Sequence, residues 1–287
     1  GCYSGPEGTL NVGVCVPGEV YCHEGVWGGD KDGSFTPGFC AGEITPQDKD
    51  NCNGTDDDCD GTVDDGKELQ ETDILFIVDW SGSMDTEISA VSQALGMFAA
   101  NYADEEIILW GFIKGPVLNI AIEKLLLITD FVAFPGFAQE ISVPISGPIG
   151  TKEMLADALY LVLHDVSTSP TYPSKSDLAW KGNVSSSPNI EDFSVSWRKD
   201  ANKVIIIFTD EITQTFMDPP ASIQAVLDTA KGVDNLKIYV FTTDNYPAKT
   251  GWEKIATSTG GKWFLLTYEL LPMYYSLIEI LDENICE

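Results

Sequence analysis

From residue 73 to the end of the chain, short apolar runs alternate with amphipathic segments, and this alternation limits the possible folds more than any other feature. Residues 74–78 form a continuous apolar run, as expected of a strand that is buried on both faces of a sheet. Strands that alternate with helices predict an α/β fold, with a doubly wound, mostly parallel sheet flanked by helices. The predicted strands are 74–78, 107–112, 125–129, 204–208, 238–242 and 263–266, and the predicted helices are 87–102, 152–163, 223–231, 252–258 and 268–283.

Residues 167–202 interrupt this alternation. The segment is rich in Ser, Thr, Pro and Gly, and it is much longer than an ordinary connection between a helix and a strand. Because it contains Trp180, Phe193 and Trp197, we expect it to pack against the domain rather than to be fully disordered. We interpret it as a surface insertion, and a partner-binding loop is the alternative.

Residues 1–72 are predicted to form a separate small domain, followed by the α/β domain at 73–287. The small domain holds 14 of the 26 glycines and six of the seven cysteines, so it needs covalent or metal cross-links to be stable. Up to three disulfides are predicted rather than a structural zinc site, because C-x2-C pairs are absent and only His23 is nearby. Disulfides in turn predict an extracellular or cell-surface location.

The number of cysteines does not determine how they pair, since six cysteines can pair in many ways. Pairing between neighbours is the default, with Cys52 to Cys59 the most local choice. Cys286 could be free, bonded to another chain or bonded to the small domain. The candidates for disulfides are Cys2, Cys15, Cys22, Cys40, Cys52, Cys59 and Cys286.

The net charge is −29, from 45 acidic and 16 basic side chains, and this imbalance excludes several classes of partner. Nucleic acid phosphates need a basic surface, so no nucleic acid binding is expected, and an anionic membrane face is disfavoured. No apolar run approaches the roughly 20 residues of a membrane-spanning helix. An acidic chain of this kind is suited to binding cations.

Oxygen-bearing side chains follow two of the predicted strands. Asp79, Ser81 and Ser83 come directly after the strand at 74–78, and Asp210 follows the strand at 204–208. Thr151 lies just ahead of the helix at 152–163. Because ligands bind at the carboxyl ends of strands in open parallel sheets, we expect these side chains to share one crevice. Carboxylate and hydroxyl oxygens are ligands for Mg2+, Ca2+ or Mn2+ rather than for zinc. The alternative is that the two serines only cap the following helix.

The Asp-x-Ser-x-Ser motif, followed by Thr151 and the strand-ending Asp210, resembles the von Willebrand factor A family and its metal-ion-dependent adhesion site. The resemblance covers about residues 72–285 and implies a Rossmann-like fold. It further implies that Ser81, Ser83 and Thr151 contact the ion, while Asp79 and Asp210 supply negative charge directly or through water. One departure is Glu211, which stands where a glycine is common in the family.

Residues 48–65, here called the acidic loop, contain eight aspartates in 18 positions. Eight carboxylates so close together repel one another unless a cation neutralises them, so we predict Ca2+ here rather than a solvated acidic linker. Gly61 matches the sixth position of a calcium-binding loop, whereas Lys67 occupies the twelfth, where a carboxylate is usual. The loop and its cysteines resemble the aspartate-rich, metal-binding repeats of secreted bacterial surface proteins. The predicted calcium ligands are Asp56, Asp58, Asp60, Thr62 and Asp64, with Asp65 or Glu68 as a substitute for the missing carboxylate.

These features predict an extracellular adhesion module that binds the Asp or Glu carboxylate of a protein partner through a divalent cation. The alternative is a structural subunit of a surface filament or appendage, whose self-assembly depends on calcium. No catalytic residues are predicted, because the chain lacks a G-x-S-x-G motif and has only two histidines, His23 and His164. We therefore expect that the protein is not an enzyme.

Overall fold

The computed structural model describes residues 1–48, 50, 55–62, 70–79, 81–101, 108–114, 126–127, 154–168, 177–180 and 195–285. The chain divides into two compact units. One comprises Gly1–Leu69 with Ile285–Glu287, and the other comprises Gln70–Asn284.

A small antiparallel sheet forms the centre of the N-terminal unit. It consists of β1 (Tyr21–His23), β2 (Val26–Lys31) and β3 (Ser34–Pro37), in the order β1-β2-β3. Two-residue turns join the strands, and both residues of each turn have positive φ angles, of 49° and 84° at Glu24-Gly25 and of 54° and 78° at Asp32-Gly33. Turns of this kind match the right-handed twist of paired strands, which explains why glycine stands second in both of them.

Among the described residues, two disulfides cross-link this unit, Cys2–Cys40 and Cys15–Cys59. Pairing between neighbours is therefore the wrong prediction for Cys59, whose partner is 44 residues away. The acidic loop folds back onto the start of the chain, where the Val14 N–H donates to the Asp56 carbonyl at 3.0 Å, and this brings Cys59 to Cys15.

Within the described part of the chain, Cys22 has no disulfide partner. It lies on β1 with an exposed side chain, and the four other described cysteines bond to one another, so its assignment as a disulfide candidate is not supported. Cys52 and Cys286 lie outside the described residues.

The described residues of the second unit form a six-stranded sheet at its core, and the predicted doubly wound α/β fold is confirmed. The strands are β4 (Thr72–Val78), β5 (Ile108–Lys114), β6 (Leu126–Leu127), β8 (Asn202–Thr209), β10 (Leu236–Thr242) and β11 (Trp263–Leu265). Their order in the sheet is β11-β10-β8-β4-β5-β6, with β6 antiparallel to β5 and the other five strands parallel. The helices are α1 (Asp85–Asn101), α2 (Leu155–Val166), α3 (Ile223–Ala230), α4 (Tyr246–Ser258) and α5 (Leu270–Ile285).

Helices cover both faces of this sheet. On one face, Leu75 and Ile77 of β4 belong to a buried cluster with side chains of α2, α3 and α4. On the other face, Phe76 of β4 lies edge-on to Phe98 of α1, and Asn284 of α5 donates to the Tyr239 hydroxyl at 2.8 Å. Every residue of β4 is buried, as the apolar run at 74–78 predicts for a central strand.

The described parts of the insertion at 167–202 pack against the second unit, as predicted. A short strand, β7 (Ala179–Trp180), pairs antiparallel with β9 (Met217–Asp218), which follows β8 in the chain. At the end of the insertion, the Arg198 guanidinium donates to the buried Asp73 carboxylate at 2.7 Å. Burial raises the pKa of Asp73, and the hydrogen bonds and charge of Arg198 oppose that rise.

No helix within the described parts of the chain is both long and apolar enough to cross a membrane.

Candidate metal centre

The two central strands β4 and β8 bring the predicted ligands to one edge of the sheet. These strands are parallel neighbours with Val78 opposite Phe208, so they end side by side. The Asp79 N–H donates to the Phe208 carbonyl at 2.8 Å, which extends the pairing by one residue. Asp79 and Asp210 therefore both lie at the carboxyl edge of the sheet, where the fold predicts a ligand site.

Asp79 is fully buried and held in place by two hydrogen bonds. Its Oδ1 accepts from the Ser81 N–H at 2.9 Å, and its Oδ2 accepts from the Thr209 hydroxyl at 2.8 Å. Burial raises the pKa of Asp79 to about 6, although the hydrogen bonds from Ser81 and Thr209 oppose that rise. None of the described lysine or arginine side chains forms an ion pair with Asp79, so an ionised Asp79 lacks a counter-charge from them.

The hydroxyl groups of Ser81 and Ser83 connect Asp79 with Asp210. The residues after Ser81 form a 3-10 turn, Gly82–Met84, which leads into α1. The Ser81 and Ser83 hydroxyl oxygens lie 2.8 Å apart, and the Ser83 hydroxyl donates to Asp210 Oδ1 at 3.2 Å. We call these four residues, Asp79, Ser81, Ser83 and Asp210, the Asp79 centre. Their side-chain oxygens form one continuous set of potential metal ligands, and such a set fits a hard divalent cation.

The exposure of these side chains changes across the centre. Ser81 is buried, Asp210 is half-buried and Ser83 is exposed, so the centre opens to solvent on the side of Ser83 and Asp210. Burial raises the pKa of Asp210, the Ser83 hydrogen bond opposes that rise, and the charge of Glu87 adds to it. A cation in the centre would favour the ionised form of both aspartates, because opposite charge lowers a carboxyl pKa.

Four of the five predicted ligands are brought together, and the fifth, Thr151, lies outside the described residues. Trp80, between the ligands in the motif, lies outside them as well. Thr209 is a residue that the sequence reasoning missed, although its position directly before Asp210 was a signal. Its hydroxyl links the two strand ends, since it donates to Asp79 and accepts from the Glu211 N–H at 3.0 Å.

The chain after Asp210 is fixed by two buried side chains from the helices. The indole N–H of Trp252 in α4 donates to the Glu211 carbonyl at 2.9 Å. Asp157 of α2 accepts from the Phe216 N–H at 2.6 Å and also from the Thr215 hydroxyl. Neither residue belongs to a recognisable motif, but both are buried and both position the segment that follows the metal centre.

The N-terminal unit contains a second group of oxygen donors in the acidic loop. The carboxylates of Asp50, Asp56 and Asp58 offer oxygen atoms that all lie within 4.8 Å of one another. Partial burial raises the pKa of Asp58, and the charges of the neighbouring aspartates, Asp50 among them, add to the rise. Asp50 is fully buried and is absent from the predicted ligand set, even though it belongs to the same acidic run.

The predicted calcium ligands are only partly assembled. Asp56 and Asp58 join Asp50, whereas the Asp60 Oδ1 accepts from the Thr62 N–H at 2.8 Å. Gly61 has a φ of +99°, as its place in a calcium-binding loop requires, and its N–H donates to Asp56. Asp64, Asp65 and Glu68 lie outside the described residues.

No protein-family model and no curated protein sequence matches the chain. Several solved structures are similar to it. A von Willebrand factor type A protein from Catenulispora acidiphila has a TM-score of 0.47 and 11% identity, over 74% of this chain and 42% of that one. Proximal thread matrix protein 1 from the mussel byssus, with a zinc-occupied MIDAS motif, has a TM-score of 0.47 and 13% identity, over 76% of this chain and 50% of that one. A pilus adhesin from Lactobacillus rhamnosus GG has a TM-score of 0.48 and 12% identity, over 76% of this chain and 30% of that one.

The family that the Asp-x-Ser-x-Ser motif resembles is thus present among the structural neighbours. The chain spans half or less of the length of these three structures.

Proposed function

We propose that the chain is an extracellular adhesion module that binds the Asp or Glu carboxylate of a protein partner through a divalent cation. The cation, Mg2+ or else Ca2+ or Mn2+, would be held by the Asp79 centre together with Thr151. The observation that carries this proposal is the continuous set of oxygen donors from Asp79 to Asp210 at the carboxyl edge of the sheet. The two disulfides of the N-terminal unit support an extracellular location, since disulfides persist in oxidising compartments.

The residues of the Asp79 centre would contribute to cation binding in two ways, through negative charge and through neutral oxygens at fixed positions. Asp79 supplies a buried negative charge, and Ser81 and Ser83 supply neutral oxygens whose positions are set by the Asp79 and Asp210 hydrogen bonds. A bound divalent cation would supply residual positive charge and an open position for one further oxygen ligand. The exposed side, at Ser83 and Asp210, is where a partner can approach. We expect binding without turnover.

We further propose that the acidic loop holds a structural Ca2+ through Asp50, Asp56 and Asp58. Three carboxylates within 4.8 Å repel one another unless a cation lies between them, and carboxylate oxygens are the usual ligands of Ca2+. The Cys15–Cys59 disulfide holds the loop against the rest of the unit. The ion would therefore stabilise the N-terminal unit rather than contact a partner.

The proposed adhesion is tested with two peptide libraries fixed to a surface, identical except that the central residue is Asp in one and Asn in the other. The full 287-residue chain is applied in Mg2+, then in EDTA, then in Mg2+ again. We expect retention on the Asp library in Mg2+, loss in EDTA and recovery on return of Mg2+, with little retention on the Asn library. The contact should persist in about 0.3 M NaCl, because direct ligation is screened less than long-range attraction. Equal retention on both libraries, or retention that EDTA does not change, would contradict the proposal.

A further inference from the structure

One face of the small antiparallel sheet carries a group of aromatic rings. Tyr21 of β1 lies opposite Gly28 of β2, and Asp30 of β2 lies opposite Phe35 of β3. Because side chains alternate along a strand, Tyr21, His23, Asp30 and Phe35 all lie on the same face of the sheet. The centroid of the Phe35 ring is 5.3 Å from that of Tyr21 and 5.0 Å from that of His23. We call Tyr21, His23 and Phe35 the aromatic face.

The rings of the aromatic face are accessible to solvent although they contact one another. Tyr21 is 43% exposed, His23 is exposed and Phe35 is half-buried. Gly28 allows this arrangement, since a Cβ atom at that position would come within 2.9 Å of the tip of the Phe35 ring. The Phe35 ring therefore lies across the middle strand, and the three rings form one joined apolar surface rather than isolated exposed side chains.

The charged groups of this sheet are mostly acidic. Asp30 Oδ1 accepts from the Tyr21 hydroxyl at 2.5 Å, and this hydrogen bond raises the pKa of Tyr21. The second oxygen of Asp30 has no hydrogen-bond or ion-pair partner among the described residues. Glu24 and Asp32, in the two turns that join the strands, are exposed and form no ion pair with the described part of the chain. Lys31 is the only lysine or arginine between residues 21 and 37, and by the alternation of side chains it lies on the opposite face from Asp30.

An arginine side chain matches this combination of rings and carboxylate. Its planar guanidinium stacks on aromatic rings and can pair with a carboxylate through two N–H groups. The carboxylates of the sheet would repel an acidic or phosphate-bearing partner, and a neutral carbohydrate would gain nothing from their charge. A second copy of this chain is a poor source of the arginine, because the single arginine of the sequence, Arg198, already donates to the buried Asp73 carboxylate.

We propose that the aromatic face binds arginine side chains of a basic protein segment, with the guanidinium on the rings and paired with Asp30. This surface is chemically opposite to the Asp79 centre, since it would take a cation from the partner whereas the centre would take a carboxylate. All of its residues belong to the N-terminal unit, so the inference does not depend on the proposed function.

The test is an NMR titration of the full chain with a glycine-serine peptide that carries several arginines. It is run in about 0.15 M NaCl, which screens unspecific attraction to the acidic chain, with Ca2+ and Mg2+ present to fill the proposed cation sites. One matched peptide has citrulline, which is uncharged and similar in shape, at every arginine, and another has lysine. We expect the arginine peptide to shift the backbone amides of residues 21–37 and to bind about tenfold more tightly than the citrulline peptide. The lysine peptide should fall between them, because an ammonium group lacks the planar stacking surface.

Two variants remove the two proposed interactions separately. Asp30→Asn loses the charge but keeps an oxygen that can accept from Tyr21, and Phe35→Leu loses the ring but keeps an apolar side chain. Each should reduce the preference for arginine over citrulline to about threefold, since one of the two interactions remains. The matched control is Asp32→Asn, which removes a neighbouring carboxylate at a turn position with a φ of 54° that asparagine also adopts. Asp32→Asn and Asp79→Asn should both keep the tenfold ratio.

Three results would overturn the inference. The first is equal binding of the arginine and citrulline peptides to the wild-type chain, and the second is a preference for arginine that is unchanged in Asp30→Asn. The third is binding of a neutral oligosaccharide at the amides of residues 21–37 that Phe35→Leu abolishes, without a preference for arginine, because the aromatic face would then be a carbohydrate site. Each of these results leaves carboxylate binding at the Asp79 centre untouched.

Discussion

Asp79→Asn is expected to lower the affinity of the chain for Mg2+ by about 100-fold or more, the upper end of the range for loss of a supporting group around a metal. Asparagine has nearly the same shape and retains an oxygen that can accept one of the hydrogen bonds from Ser81 and Thr209. The substitution removes the buried negative charge that would attract the cation and partly neutralise it. Retention on the Asp library should be lost together with the metal.

The same substitution is expected to stabilise the metal-free protein at pH 7. The pKa of Asp79 is about 6 in the folded protein and 3.8 in the reference state, so the folded protein binds this proton more tightly than the unfolded chain does. The contribution of this group to stability is therefore fully present below about pH 4 and is lost as the pH rises to about 6. Ionised Asp79 then destabilises the folded protein by about 3 kcal/mol at pH 7, which asparagine avoids.

Both effects are measured on the same proteins, by calorimetric titration with Mg2+ and by denaturant unfolding in EDTA at pH 4 and pH 7. The control is Asp234→Asn, which removes an exposed aspartate from the same unit and should change neither quantity. Unchanged Mg2+ affinity in Asp79→Asn would show that the centre does not hold the ion. If Asp79→Asn is less stable than the wild type in EDTA at pH 7, the ionised Asp79 carboxylate does not destabilise the folded protein.

Asp50→Asn is expected to abolish calcium binding by the acidic loop. Asp50 Oδ1 accepts the N–H groups of Asp57 and Asp58, at 2.7 and 2.8 Å, and an asparagine oxygen can accept the same bonds. The local fold should therefore persist, while one of the three clustered carboxylates is lost. In the wild type, Ca2+ at about 100 times its dissociation constant should stabilise the N-terminal unit by about 2–3 kcal/mol. The variant should lose this gain.

The measurement is the unfolding midpoint of the N-terminal unit with and without Ca2+, in the full chain. The matched control is Asp48→Asn, which removes an exposed aspartate two residues away. The account predicts that Asp48→Asn responds to Ca2+ like the wild type and that Asp50→Asn does not respond. Equal responses in the two variants would place the ion elsewhere or show that no ion binds in this loop.

The sequence predicts the fold of the second unit well, because the residues that identify each strand and the ligands after it are adjacent in the chain. The apolar run at 74–78 identifies a central strand, and the residues directly after it are the ones found at the carboxyl edge of the sheet. Asp210 is predictable in the same way, from its position after β8. The convergence of these side chains follows from the parallel order of β4 and β8, which the alternation of strands and helices implies.

What the sequence does not predict depends on contacts between distant segments. The Cys15–Cys59 disulfide follows from the way the acidic loop folds back onto Val14, and no spacing of cysteines reveals this path. Asp50 joins the acidic cluster because its carboxylate accepts the N–H groups of Asp57 and Asp58, whereas a calcium-loop pattern starts only at Asp56. Thr209 is inconspicuous in the sequence, since a hydroxyl at a strand end becomes significant only when the neighbouring strand ends in a carboxylate.

Anomalous scattering from crystals of the full chain with Mn2+ shows whether Asp79, Ser81, Ser83 and Asp210 hold one divalent cation. We expect an anomalous peak at this edge of the sheet, with the ion about 2.0–2.6 Å from the Ser81 and Ser83 hydroxyl oxygens. The Ser83 hydrogen bond to Asp210, at 3.2 Å, should be replaced by contacts to the ion. If crystals with saturating Mn2+ show no peak there, and the hydrogen bonds of Ser81, Ser83 and Asp210 are unchanged, these residues do not hold a divalent cation.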